Sequence, residues 1–166
     1  MTALIAWDPS MSVGHLPLDR DHRVLIEDIN KMHSGLAAGK DKQVLKGMLA
    51  TLVNDAEAHF RREETVWKLS GYGHFDEHRQ QHAALLYAMR TFRTEYEKST
   101  ALLSLGGINL LVLWLMHHIF ESDRPAAAAI GLVDAPSIDT FDWSLVEKAG
   151  RAYGLNLVPP AISTLT

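Results

Sequence analysis

The feature that most narrows what this chain can fold into is a recurrence of apolar residues at three- and four-residue steps, sustained through four long stretches with short polar breaks between them. From Asp19 to about Leu36 the positions are His22, Leu25, Ile26, Ile29, Met32, His33 and Leu36. From Asp41 to about Leu69 they include Leu45, Leu49, Leu52, Val53, Ala56, His59, Phe60, Glu63 and Trp67. From about Phe75 to Tyr96 they are His78, His82, Leu85, Leu86, Met89 and Phe92, and the run from roughly Leu103 to Ser122 is apolar on most sides. Three- and four-residue steps trace one face of an α-helix. Short connections between four such helices predict an all-α fold, an antiparallel up-down-up-down four-helix bundle. Asp19 reads as an N-cap, and "GLAAGK" and "SGYG" as stops.

With 166 residues, 47% of them hydrophobic, the chain suits one domain with a core of its own. Its net charge of -4 comes without a basic block, which argues against nucleic acid and against an anionic membrane surface as partners. The absence of cysteine removes disulfides, thiolate catalysis and sulfur-ligated metals from consideration. Any metal must be held by nitrogen and oxygen. "MTALIAWDPSMSVG" lacks a basic leader and a sustained apolar run, and no stretch reaches the roughly 18 apolar residues of a membrane span, so the expected location is cytoplasmic. The bundle is expected over residues 1–124. Residues 125–166 read as a C-terminal extension, either docked or a linker, with one short amphipathic helix using Phe141, Trp143, Val146 and Tyr153.

Nine histidines are the one unusual figure in the composition, and their positions matter more than their number. "HFRREE" sets His59 and Glu63 four residues apart, and "HRQQH" does the same for His78 and His82, so each pair shares a helix face. Either pair alone is weak evidence of a metal. Together with His22 in the first helix and His118 in the fourth, every helix offers a ligand type towards the core. Burying five imidazoles and several carboxylates without partners would cost several kcal/mol for each charge, and bound metal removes that cost. Residue type alone leaves iron, zinc, copper and nickel open. The Glu-x-x-His spacing of bundle di-iron carboxylate proteins and the zincin HExxH motif are both missing.

The ordered set "VGHLPLDRDH", "HFRREE", "GYGHFDEHRQQH" and "WLMHHIFESD", with Trp7 in an N-terminal arm, resembles the bacteriohemerythrins, the bacterial branch of the hemerythrin-like proteins, over residues 1–124. The resemblance implies two iron ions in a non-haem centre, with His78, His82 and His118 on one and His22 and His59 on the other. Glu63 and Asp123 would bridge them beside an oxo or hydroxo group. Three nitrogens and three bridging oxygens fill one iron, whereas two nitrogens leave the other a vacancy where O2 would bind reversibly. No protein acid or base is then required, and the expected function is oxygen storage, delivery or sensing rather than catalysis, with weak peroxide or nitric oxide chemistry as a side activity. A dry O2 pocket is expected from Leu25, Phe60, Leu115 and Ile119, with Leu115 facing the ligand. A protein partner would be an oxygen-consuming enzyme or a signalling protein reached through the extension.

The chain departs from the family pattern at Arg20-Asp21, where Glu-Gln is frequent, and at Gly73, where proline often stands. His33 lies about three turns from His22, roughly 16 Å along the axis, which is too far for the same metal. His15 and His74 read as surface or capping residues, His117 as a bystander, and Glu64 as solvated or as a partner of a ligand. The last pair raises a difficulty, because on a regular helix Asp123 lies about 140° around from His118, and Glu121 is better placed. For Asp123 to serve, the helix must widen, bend or end there, and Arg124-Pro125 is a fitting place for that disturbance.

Overall fold

A computed structural model describes residues 3–98 and 105–134. Helix α1 spans Leu16–Ala37, α2 Lys42–Leu69, α3 Phe75–Lys98 and α4 Leu105–His118. The fourth helix continues through a wider π turn, Ile119–Asp123, into a short helix α5, Arg124–Ala129. These helices form the expected bundle, and no strand occurs among the described residues. No helix among them is long and apolar enough to cross a membrane.

Asp41 caps α2, its carboxylate accepting the Val44 N–H at 2.9 Å. Asp19 does not cap α1. That helix begins three residues earlier, with His15 at the cap position and Pro17 in the first turn, where a missing N–H costs nothing. Asp19 is instead buried in the first turn, and its carboxylate accepts the Val13 N–H at 2.8 Å and the Ser12 hydroxyl. It ties the incoming arm to the helix. Further up the arm, Asn30 accepts the N–H groups of Leu4 and Ile5 and donates to the Ile5 carbonyl, while Trp7 lies beneath the Arg23 guanidinium, 4.3 Å away.

Among the described residues, two apolar clusters form the core. The larger one joins Leu25, Ile29 and Met32 of α1, Leu45, Leu49, Leu52 and Phe60 of α2, Met89 and Tyr96 of α3, and Ile108 and Leu111 of α4. The smaller one joins Val13, Leu18, Trp67, Ala126 and Ala127. The helical chain therefore runs across residue 124, where the bundle was expected to end, and α5 buries two alanines. Gly14 makes this close approach feasible: its φ is +70°, and a Cβ there would stand 2.3 Å from the Leu132 carbonyl oxygen. The amphipathic segment around Phe141 and Trp143 lies outside the described residues.

Candidate metal centre

On α2, His59 and Glu63 fall between Ala56 of the larger cluster and Trp67 of the smaller one. The side chains that meet there come from every long helix: His22 from α1, His59 and Glu63 from α2, His78 and His82 from α3, His118 from α4 and Asp123 from the π turn. All seven are buried. Their ligand atoms form two groups, each within 4.8 Å: Glu63, His78, His82, His118 and Asp123 in one, and His22, His59, Glu63 and Asp123 in the other. The carboxylates are common to both. Glu63 Oε2 lies 3.3 and 3.1 Å from Nε2 of His78 and His82, and 3.9 Å from Nε2 of His59. Asp123 turns Oδ1 towards His118 and His78, at 3.0 and 3.3 Å, and Oδ2 towards His22 at 3.3 Å.

The π turn is what brings Asp123 here. Arg124 donates its N–H to the Ile119 carbonyl, five residues back, so one extra residue is absorbed in the turn. Five residues then do the angular work of four, and Asp123 falls about 40° from His118 instead of about 140°. Pro125 supplies a cause: it has no N–H to give, and in a regular helix its ring would strike the Glu121 carbonyl. Glu121, the residue that regular geometry favours, is exposed.

The donor set fits a pair of cations. Nε2 of His82 lies 3.1 Å from that of His78 and 2.8 Å from that of His118. Nitrogens at ~2.1 Å from one metal and at right angles to each other stand ~3.0 Å apart. Both nitrogens of His22, Glu63 Oε1 and both oxygens of Asp123 are buried without a hydrogen-bond partner among the described residues, although such groups are nearly always satisfied. Without metal, protons carry the balancing charge. Burial pushes the His78 imidazole down, but its contacts with Asp123 and Glu63 outweigh this and raise it to about 9. Burial and the Asp123 charge push Glu63 up, but the contacts with His78 and His82 hold it at about 2.

A pH dependence follows. The stability His78 contributes is complete below its ordinary 6.5 and is lost as pH rises through about 9; that of Glu63 is present above its ordinary 4.5 and is lost as pH falls through about 2. The urea midpoint of the metal-free protein should therefore fall between pH 6.5 and 9. His78→Gln should remove most of that slope, and an unchanged slope would dissociate it from His78.

Two of the outward nitrogens face carboxylates outside the cluster. His82 Nδ1 lies 3.0 Å from Glu64 Oε1, a full hydrogen bond, so Glu64 supports His82 from outside the cluster. His59 Nδ1 faces Asp21 Oδ2 at 3.6 Å, beyond hydrogen-bond length. Asp21 is held at both oxygens by Arg62; burial pushes its carboxyl up, and His59 and Arg62 together bring it down to about 2. The ring of Phe60 stacks on His82, 4.1 Å between centroids. Sequence reading identifies neither Asp21 nor Arg62 as a partner, since a pairing across 41 residues leaves no mark in local spacing.

A cavity of about 40 Å³ adjoins the cluster, reaching His59, His118 and Asp123, and its walls include Leu25, Phe60, Trp114 and Leu115. That is room for a molecule of one or two heavy atoms. Ile119 is fully buried but does not line it; it stands four residues beyond Leu115, about 6 Å further along the axis. Of the other histidines, His74 is exposed against Tyr72, His15 and His33 are half-buried, and burial pushes the half-buried His117 down. None of the four belongs to either group.

Fold and site together define a metal-binding four-helix bundle. Residues 17–129 match the family described as the Hemerythrin HHE cation binding domain, and the chain belongs to that family. It is 27% identical over 134 residues to a bacteriohemerythrin of Pseudomonas aeruginosa, covering 80% of this chain and 82% of that one. To a bacteriohemerythrin of Methylococcus capsulatus it is 26% identical over 125 residues, 74% of this chain and 93% of the other. A hemerythrin of Phascolopsis gouldii is 24% identical over 117 residues, 70% of this chain and 85% of that protein. A crystal structure of wild-type hemerythrin superposes with a TM-score of 0.71 at 22% identity, covering 77% of this chain and 98% of that one, which establishes a common fold.

Proposed function

We propose that this protein binds O2 reversibly at a non-haem di-iron centre. The observation that carries the reading is the division of five imidazoles into three and two around two shared carboxylates, beside a small apolar cavity. In this reading His78, His82 and His118 would hold one iron and His22 and His59 the other, with Glu63 and Asp123 shared between them. Two ferrous ions in that setting supply the electrons that make O2 uptake reversible. The protein's own part is to fix the ligands, leave one position open on the two-histidine side and exclude water with Leu25, Phe60 and Leu115. No side chain in the cavity is needed as an acid or base, so the protein acts as a carrier and not as an enzyme, working in the cytoplasm. The bundle, residues 1–124, is the oxygen-binding domain, and the extension over residues 125–166 is where a sensing role would be transmitted.

The test is anaerobic loading with ferrous iron, exposure to O2 and then argon, with the visible spectrum followed throughout. A band that appears with O2 and disappears under argon over repeated cycles supports the carrier; irreversible oxidation in one exposure, or sustained turnover of added peroxide, contradicts it. Leu115→Tyr should keep the iron content and slow O2 release about fivefold, the effect of one added hydrogen bond of about 1 kcal/mol. An unchanged release rate removes Leu115 from the pocket.

A further inference from the structure

The outer ring nitrogens of His82 and His59 are supported unequally. Glu64 makes a full hydrogen bond to His82 Nδ1, at 3.0 Å. Asp21 stands 3.6 Å from His59 Nδ1, and that nitrogen is buried with no hydrogen-bond partner among the described residues. What keeps Asp21 back is visible: Arg62 donates Nε–H to Oδ2 at 2.7 Å and a terminal N–H to Oδ1 at 2.9 Å, a fork that grips the carboxylate in one orientation. Asp21 precedes His22 on α1, and Arg62 precedes Glu63 on α2, so the pair closes the α1–α2 seam directly behind the two-histidine side of the centre.

We propose that Asp21 and Arg62 act together as a positioning pair for His59, with Arg62 setting how strongly the Asp21 carboxylate engages the imidazole Nδ1–H. A carboxylate on the outer nitrogen strengthens the inner nitrogen as a ligand. Arg62, by holding both Asp21 oxygens, limits that strengthening at His59, whereas Glu64 applies it fully at His82. The inference rests on the di-iron reading, but its structural half concerns this chain's residues alone and can be read without metal.

The experiment uses the full chain with Arg62→Gln, Asp21→Asn and both together. Arg62 is half exposed, so its loss leaves the core intact. In the metal-free protein, Arg62→Gln lets Asp21 close on His59, and the His59 Nδ1–H resonance moves downfield and exchanges more slowly. In the iron-loaded protein, the same variant stabilises the oxidised over the reduced centre about tenfold, a midpoint shift of ~59 mV to lower potential for one electron. In the Asp21→Asn background Arg62→Gln changes neither quantity. The proposal is overturned if Arg62→Gln leaves the His59 resonance where it was, or if the midpoint shift is as large without the Asp21 carboxylate as with it. Should the parent chain fail to hold iron, the di-iron reading falls, and the resonance still decides the pair.

Discussion

Glu63→Ala is expected to produce a folded chain that retains less than one iron per molecule after anaerobic loading and gel filtration, where the parent retains two. The size of the effect follows from sharing. Glu63 approaches His78 and His82 on one side and His59 on the other, so its loss removes an oxygen from both groups at once. It also removes one of the two carboxylates shared by the buried imidazoles, which penalises the cation form of the metal-free site as well. His59→Ala should be milder, because His59 belongs to one group only: about one iron should remain. Metal analysis with circular dichroism on the same samples checks both. If the two variants lose iron equally, Glu63 is not a bridge.

Trp67→Ala should give the largest loss of stability, about 3–5 kcal/mol from the transfer and cavity terms of removing a fully buried aromatic ring. Trp67 is entirely inaccessible and packs among Val13, Leu18, Ala126 and Ala127, with its ring edge-on to His78 at 6.2 Å. That small cluster anchors the arm on one side and α5 on the other, and α5 follows Asp123 directly. The variant should therefore also weaken iron retention, although it touches no proposed metal ligand atom. Urea denaturation of the metal-free protein measures the first effect and iron content the second. A loss of under 1 kcal/mol would mean that the cluster collapses around the hole or contributes little to the fold.

The parts of this site that were legible in the sequence are those that obey regular helix geometry. His59 with Glu63 and His78 with His82 are separated by one turn, so a shared face follows from spacing alone. Asp19 reads as a helix cap but has a different task. Its carboxylate is taken by Val13 and Ser12 of the arm, a tertiary use that overrides the local signal, while Pro17 permits an earlier start. For Asp123 regular spacing pointed to Glu121, and only the family pattern selected the aspartate. The reason is the π turn: Pro125 announces a disturbance, but whether a helix answers by ending or by widening depends on what packs beyond it. Here Ala126 and Ala127 fit against Trp67 and Leu18, and the helix continues. The Asp21–Arg62 pair was not legible at all, since its partners meet only once α1 and α2 are packed.

A bridged di-iron centre predicts two inequivalent metal positions, three imidazoles against two around shared Glu63 and Asp123. Mössbauer spectroscopy of the full chain loaded anaerobically with iron-57 and then exposed to O2 measures that inequivalence. The expected result is two iron atoms per chain, coupled to each other, giving two quadrupole doublets of equal area in the oxygenated protein that merge towards a ferrous pattern under argon. One iron per chain, or two uncoupled irons, would contradict the bridged centre.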